Sequence, residues 1–128
     1  MTTYPTGVAA ATILVVDDDA LITLNTVDVL NERGFTALEA FSGAEALAMV
    51  ERFPDIAAIV TDYAMPGMNG QELAEAARRL RPGLPVLLTS GYSELPHLGD
   101  KDLTWLEKPY REDQLVARLT DLLAPAGD

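Results

Sequence analysis

The chain has 128 residues, of which 48% are hydrophobic and none is cysteine. This length predicts one globular domain with a core that needs no disulfide or metal staple. The lack of cysteine excludes thiolate zinc sites, CxxC redox chemistry and disulfide scaffolds. Twenty Asp and Glu against nine Lys and Arg give a net charge of −11, so a phosphate backbone would be repelled and nucleic acid is not expected as a direct partner.

The apolar run from Val8 to Val16 is preceded by no basic residue and followed directly by three aspartates. It therefore has the features of neither a signal peptide nor a membrane span, and we expect a cytoplasmic protein with no membrane partner. Both ends are rich in small residues and Pro without a period. We predict a flexible N-terminal extension over residues 1–10, one domain over 11–124 and a tail over 125–128.

Short apolar runs alternate with amphipathic stretches along the chain. The run Ile13–Val16 is too short for a helix and lacks polar alternation, so it predicts a strand that is buried on both faces. The runs Ile56–Val60 and Val86–Leu88 have the same character. Phe35–Phe41 and Thr104–Glu107 supply the two remaining strands.

Four amphipathic helices separate or follow these strands. In the first, Ala20, Leu24, Val27 and Leu30 recur at spacings of three and four, and Gly34 stands where a helix end favours a left-handed residue. The second opens with the Ser-x-x-Glu spacing of a capping box. The other two are marked by Leu73, Ala76, Ala77 and Leu80 and by Leu115, Leu119, Leu122 and Leu123.

Strands that alternate with helices predict an α/β fold with a mostly parallel sheet. Five strands match a flavodoxin-like, doubly wound sheet of order 2-1-3-4-5, whose ligand crevice lies at the carboxyl ends of strands 1 and 3. Between strands 4 and 5, the stretch Gly91–Leu103 is short and contains Pro96 and two glycines. We therefore predict that a helix there is degenerate, reduced to about one turn, or missing.

Acidic residues follow the two strands that border the predicted crevice. Asp17, Asp18 and Asp19 come after the first strand, and Asp62 ends the third. Carboxylates within a few ångströms resist ionisation unless a cation lies among them, and Mg²⁺ prefers such oxygen ligands. The alternative is that acidic residues cap the following helix. For Asp19, a supporting role at the site and a surface position on the first helical turn stay equally open.

Strand 4 ends at Ser90 and strand 5 ends next to Lys108. A hydroxyl and an ammonium group are therefore expected at the same edge of the sheet as the carboxylates. A metal ion and Lys108 could neutralise phosphoryl oxygens, Ser90 could donate a hydrogen bond, and a carboxylate could act as nucleophile. The sequence thus predicts a phosphoryl site.

The spacing of these motifs resembles that of the receiver (CheY-like) domain of two-component response regulators. The resemblance covers residues 11–124, and four segments carry it: Ile13–Asp18, Pro54–Gly70, Leu84–Val86 and Lys108–Tyr110. It implies that Asp62 is the phosphoacceptor for a sensor histidine kinase or a histidine phosphotransfer protein. It also implies a Mg²⁺ ion held by Asp17, Asp18, Asp62 and the backbone carbonyl of Ala64.

The resemblance further implies a switch formed by Ser90 and Trp105, with Lys108 contacting the phosphoryl group and a cis Lys108–Pro109 bond. Counting from Pro85 selects Ser90 over Thr89 as the switch hydroxyl. The implied function is a phosphorylation-controlled binding module with an unknown output protein, as a monomer or weak dimer. Its chemistry would be limited to self-phosphorylation from phosphodonors and autodephosphorylation. A stand-alone receiver and a piece of a hybrid kinase fit equally well.

One enzymatic alternative stays open. Asp17-Asp18-Asp19 also satisfies the Asp-x-Asp motif of haloacid-dehalogenase-like phosphatases, with Asp17 as nucleophile. That family needs a later Gly-Asp-x-x-x-Asp motif, which Gly99–Asp102 imitates poorly. The chain also lacks room for a cap domain.

Overall fold

The computed structural model describes residues 11–91 and 104–124. They form the strands β1 (Thr12–Val16), β2 (Thr36–Ala40), β3 (Ile56–Asp62), β4 (Val86–Ser90) and β5 (Thr104–Glu107) and the helices α1 (Ala20–Glu32), α2 (Gly43–Arg52), α3 (Gly70–Leu80) and α4 (Glu112–Leu123). All strand pairs are parallel, and the sheet order is β2-β1-β3-β4-β5. The predicted flavodoxin-like α/β fold is confirmed. The predicted flexible extension, the degenerate helix between β4 and β5 and the tail lie outside the described residues.

The sheet is covered on both faces because successive side chains of a strand point to opposite sides. Leu14 and Val16 of β1 pack on one face with residues of α2 and α3. Ile13 and Val15 pack on the other face with residues of α1 and α4. The uninterrupted apolar run of β1 is therefore explained by two cores, one on each side of the sheet.

The helix ends follow local sequence signals. Gly34 has a φ of 96° directly after α1, in the left-handed region that glycine adopts without strain. Ser42 Oγ accepts a hydrogen bond from the Glu45 amide at 3.1 Å and caps α2 as predicted. The Glu45 carboxylate reaches one residue further than in a standard capping box and accepts from the Phe41 amide at 2.8 Å.

The buried face of α1 differs from the predicted one. Val27 and Leu30 are buried, but Ala20 and Leu24 are exposed, and Thr23 and Thr26 take their places in the interior. A buried hydroxyl is tolerated when it is hydrogen-bonded, and both threonines have backbone carbonyl acceptors at 2.9 Å. The apolar periodicity therefore predicted the helix correctly and its orientation wrongly.

The rotation of α1 leaves apolar side chains at the surface. Leu21, Ile22 and Leu24 are 79%, 43% and 45% exposed, respectively. They lie in the first turns of α1, directly after the acidic loop that follows β1. In the part of the chain that the structure describes, no helix has the length and apolar character needed to cross a bilayer.

Candidate phosphoryl and metal site

Three carboxylates meet at the carboxyl edge of the sheet. Asp17 follows β1 and Asp62 ends β3, and these two strands are neighbours. One carboxylate oxygen from each of Asp17, Asp18 and Asp62 lies within 4.8 Å of the other two. Asp17 and Asp62 are buried and Asp18 is exposed. The sheet order thus brings together residues that are far apart in the sequence.

Lys108 provides a positive charge to this cluster. Its Nζ donates a hydrogen bond to Asp62 Oδ1 at 2.9 Å. Its backbone amide donates to the Ser90 carbonyl at 2.8 Å, which continues the pairing of β4 with β5 beyond the end of the strand. The Lys108–Pro109 peptide bond is cis, as the resemblance implied.

Burial and charge change the acidity of two of these groups. Burial raises the pKa of Asp17, and the negative charges of Asp62 and Asp18 act in the same direction, against the Asp19 amide and Lys108. For Lys108, burial alone would lower the pKa, but the hydrogen bond and charge of Asp62 outweigh it and raise the pKa. The site therefore favours a charged lysine and disfavours a full set of ionised carboxylates.

The loop between β1 and α1 uses its third aspartate for structure. Asp19 is the N-cap of α1, and its Oδ1 accepts hydrogen bonds from the amides of Leu21 at 3.0 Å and Ile22 at 3.2 Å. Its own amide donates to Asp17 Oδ1 at 2.9 Å. Asp19 therefore lies at the start of α1, where its carboxylate satisfies helix amides, and its backbone amide supports the Asp17 carboxylate.

The loop after β3 is held close to Asp62 by a glycine. Gly70 begins α3, and its amide donates to the Tyr63 carbonyl at 2.8 Å. A Cβ atom on Gly70 would lie 2.5 Å from the Asp62 carbonyl oxygen and 2.6 Å from Leu88 Cδ2. Only a residue without a side chain allows this approach. Ala64 is exposed in the same loop, two residues after Asp62.

Ser90 and Trp105 point to the same face of the sheet. Leu88 is paired with Trp105 and Ser90 with Glu107, and paired residues of parallel strands share a face. The Ser90 Oγ and Trp105 Nε1 atoms are buried without a hydrogen-bond partner within the described part of the chain. The Trp105 ring contacts the ring of Tyr63, which follows Asp62, with centroids 5.9 Å apart.

Thr89 points to the opposite face. It lines a small cavity together with Asp17, Asp62, Thr26 and Tyr110. Burial raises the pKa of the Tyr110 hydroxyl, and a hydrogen bond with Thr26 and the charge of Lys108 oppose this effect. The sequence alone assigned no role to Thr26 or Tyr110. The position of Tyr110, two residues after Lys108, was the one sequence feature that could have indicated its place near the site.

The donor set fits a hard divalent cation. Three carboxylates with oxygens in mutual reach repel one another, and Lys108 offsets only part of that charge. Oxygen ligands of this kind suit Mg²⁺. The phosphatase alternative finds no support, because the sequence model that matches residues 13–120 is that of the response regulator receiver domain.

Comparison with known proteins agrees with this geometry. The sequence model of the response regulator receiver domain matches residues 13–120. The chain is 33% identical to the sensor kinase CckA of Brucella abortus over 89% of this chain and 13% of that protein. It is 32% identical to the transcriptional regulatory protein CpxR of Klebsiella pneumoniae over 87% of this chain and 48% of that protein. The chain thus spans less than half the length of these two relatives.

A solved structure shares the fold over most of its length. The receiver domain protein from Clostridium thermocellum superimposes with a TM-score of 0.82 at 25% identity, covering 88% of this chain and 94% of the other. The sequence match over residues 13–120 and the structural match over 88% of the chain therefore indicate the same family. The chain belongs to the response regulator receiver domain family.

Proposed function

We propose that Asp62 is the phosphoacceptor of a two-component signalling module over residues 11–124. The observation that carries this proposal is the position of the Asp62 carboxylate, buried at the end of β3, bonded to Lys108 Nζ at 2.9 Å and close to two further carboxylates. An acceptor needs a nucleophilic oxygen, cationic groups to neutralise the phosphoryl charge, and a path from solvent. The exposed Asp18 marks the open side of the cluster.

In the proposed transfer, a carboxylate oxygen of Asp62 attacks the phosphorus of a phosphohistidine. A P–O bond forms, the P–N bond breaks, and the imidazole leaves with the electron pair and is protonated by solvent. Asp17, Asp18, Asp62 and the Ala64 carbonyl would hold Mg²⁺, which supplies charge neutralisation when bound. Lys108 adds a positive charge at the same oxygens, and the Ser90 hydroxyl, which lacks a partner within the described residues, donates to a phosphoryl oxygen.

The phosphodonor protein is proposed to be a sensor histidine kinase or a histidine phosphotransfer protein in the cytoplasm. The surface beside Asp62 supports a protein partner, because Leu21, Ile22 and Leu24 expose apolar area there. Leu21 and Ile22 also line a groove of about 800 Å³ between α1 and the start of α4, which reaches Lys108. A partner that covers this face would lie next to the acceptor carboxylate.

Phosphorylation is proposed to change binding to an output protein through Ser90 and Trp105. Ser90 would move toward the phosphoryl group, and Trp105, on the same face, would change rotamer into the space that Ser90 leaves. The chain itself would act only in self-phosphorylation from small phosphodonors and in autodephosphorylation, as a monomer or weak dimer. The CckA relative is named a sensor kinase and the CpxR relative a transcriptional regulator, so receivers of this family occur with different outputs.

The test is intact-mass spectrometry after treatment with acetyl phosphate and MgCl₂. We expect one added phosphoryl group on the wild type, none on Asp62→Asn, and none when EDTA replaces MgCl₂. Peptide mapping places the adduct on Asp62 or on Asp17 and so separates the receiver from the phosphatase alternative. An unchanged adduct on Asp62→Asn would disprove the proposal.

A further inference from the structure

Thr23 connects the buried interior of α1 to the acidic loop. Its side chain is fully buried, and its Oγ1 lies 2.9 Å from the Asp17 carbonyl oxygen and 2.9 Å from the Asp19 carbonyl oxygen. A single hydroxyl hydrogen therefore serves two acceptors, one on each side of Asp18. No other side chain is hydrogen-bonded to both of these carbonyls within the described residues.

The second of these bonds is ordinary for a helix, and the first is not. Thr26 and Thr120 each donate to the carbonyl four residues earlier, at 2.9 Å and 2.8 Å. The bond from Thr23 to Asp19 has the same spacing and needs no special explanation. The bond to Asp17 reaches six residues back, beyond the helix, into the segment that presents the carboxylates.

The Asp18 carboxylate depends on this backbone for its direction. In the described part of the chain it has no hydrogen bond of its own, and it is exposed. Asp17 is held at its amide by the Ala40 carbonyl at 3.2 Å and at its carboxylate by the Asp19 amide. The Thr23 hydroxyl also holds the Asp17 carbonyl, which belongs to the peptide unit that precedes Asp18, and the Asp19 carbonyl at the start of α1. The peptide unit that follows Asp18 is held by the bond from the Asp19 amide to Asp17 Oδ1.

We propose that Thr23 is a positioning residue of the Mg²⁺ site, which acts through the backbone of Asp17 and Asp19 to keep the Asp17 and Asp18 carboxylates arranged beside Asp62. The proposal rests on the proposed function, in which these carboxylates hold Mg²⁺. Thr23 does not contact the metal. Its effect belongs to the class of outer hydrogen bonds that orient ligands, whose loss weakens metal affinity by about 10–100-fold.

The experiment measures Mg²⁺ binding without phosphodonor, by following backbone amide resonances in an NMR titration with MgCl₂. We expect Thr23→Val to raise the dissociation constant by about tenfold or more, since it keeps the shape and removes the hydroxyl. Thr23→Ser restores the hydroxyl and should restore the affinity. Thr120→Val is the matched control, because it removes a helical hydroxyl bond of the same kind in α4, and its affinity should equal that of the wild type.

A second measurement separates positioning from loss of fold. The initial rate of labelling by acetyl phosphate should fall in Thr23→Val at low MgCl₂ and return to the wild-type rate at saturating MgCl₂, because bound metal reimposes the ligand arrangement. If Thr23→Val does not fold, Thr23→Ala replaces it, since it places no methyl group against the Asp17 carbonyl.

An unchanged affinity in the Thr23 variants, or an equal loss in Thr120→Val, would overturn the positioning role. Failure of Thr23→Ser to restore the affinity would overturn it as well. If the wild type itself shows no Mg²⁺-dependent shifts around Asp17 and Asp18, the proposed metal site is wrong. The two failures are therefore distinguishable.

Discussion

Lys108 Nζ and Asp62 Oδ1 are 2.9 Å apart although 46 positions separate the two residues in the sequence. Their side chains are 30% and 11% exposed, so solvent screens the pair only in part. Lys108 therefore neutralises part of the charge of a carboxylate that also belongs to the cluster formed with Asp17 and Asp18. A cation entering the cluster must share Asp62 with this ammonium group.

Removing that ammonium group should strengthen Mg²⁺ binding and weaken phosphoryl transfer. Loss of one positive charge near the carboxylates should lower the Mg²⁺ dissociation constant roughly fivefold, since a charge pair a few ångströms apart in a watery environment is worth about 1 kcal/mol. The Lys108→Met variant should also be labelled more slowly by acetyl phosphate. Lys108→Arg, which keeps the charge, serves as control, and tighter binding in that variant too would contradict the electrostatic explanation.

The raised pKa of Asp17 predicts that the free energy of unfolding of the metal-free protein depends on pH. In the unfolded state Asp17 has the ordinary carboxyl pKa of 3.8, and in the folded state its pKa is higher. The folded protein therefore keeps the Asp17 proton to a higher pH than the unfolded chain does. Between the two pKa values the folded state binds more protons, so the contribution of Asp17 to the free energy of unfolding falls as the pH rises. Above the raised pKa the full cost of the buried charge is present.

Asp17→Asn should therefore be more stable than the wild type at neutral pH in EDTA, while its amide oxygen can still accept the Asp19 amide. The difference between the two should vanish below the ordinary carboxyl pKa. Urea unfolding at a series of pH values measures it, and added MgCl₂ should stabilise the wild type only. A difference that is constant with pH would show that ionisation of Asp17 is not its cause.

Asp18 and Asp19 should have separable effects. Asp19→Ala removes the N-cap of α1 and should cost about 1 kcal/mol of stability, which Asp19→Ser should largely return. Asp18→Ala leaves the cap in place and should weaken Mg²⁺ binding with little change in the free energy of unfolding in EDTA. Urea unfolding and the MgCl₂ titration on both variants give the comparison; loss of Mg²⁺ binding in Asp19→Ser would assign this residue to the metal site instead.

Gly70→Ala should disturb both stability and phosphorylation. The added Cβ would meet backbone oxygen at Asp62 and the Leu88 side chain, so α3 must shift, at a cost of about 1–3 kcal/mol. Gly83→Ala is the control, since Gly83 has a φ of 86° with open space around it and suffers backbone strain alone. Both variants should have lowered urea midpoints, but only Gly70→Ala should also be labelled more slowly.

Trp105 should report the activated state. It is the only tryptophan of the chain, and its ring lies on the same face of the sheet as Ser90 and contacts the ring of Tyr63. Beryllofluoride with MgCl₂ should change its emission and its quenching by iodide. Ser90→Ala should reduce both changes, while Thr89→Val, on the opposite face, should not. Unchanged emission in the wild type would contradict the aromatic switch.

The sequence predicted the strands better than the faces of the helices. A buried parallel strand such as β1 is recognisable as a short run of β-branched and leucine residues. The doubly wound strand order 2-1-3-4-5 then predicts that Asp17 lies beside Asp62. The orientation of α1 depends instead on which side chains find partners after folding. Thr23 and Thr26 are buried because backbone carbonyls accept their hydroxyls, and Leu21 and Leu24 are displaced to the surface as a result.

The proposed role of Thr23 could not be predicted from the sequence for the same reason. A threonine at this spacing from Asp17 is unremarkable in the sequence, and only the turn between β1 and α1 brings its hydroxyl to the carbonyls on both sides of Asp18. The resemblance to receivers implied which residues hold Mg²⁺. The contacts that position those residues became visible only in the structure of this chain.

The strand that carries Lys108 to Asp62 is the last of the five to leave the ribosome. A nascent chain that ends before β5 already contains every carboxylate of the cluster but lacks the ammonium group that faces Asp62. Such a truncated product has neither the edge strand next to β4 nor the charge balance of the finished site. If Asp62 is the phosphoacceptor as proposed, a copy that ends before β5 lacks the ammonium group that would neutralise the incoming phosphoryl charge, and we expect it to accept phosphoryl groups more slowly than a copy that contains β5.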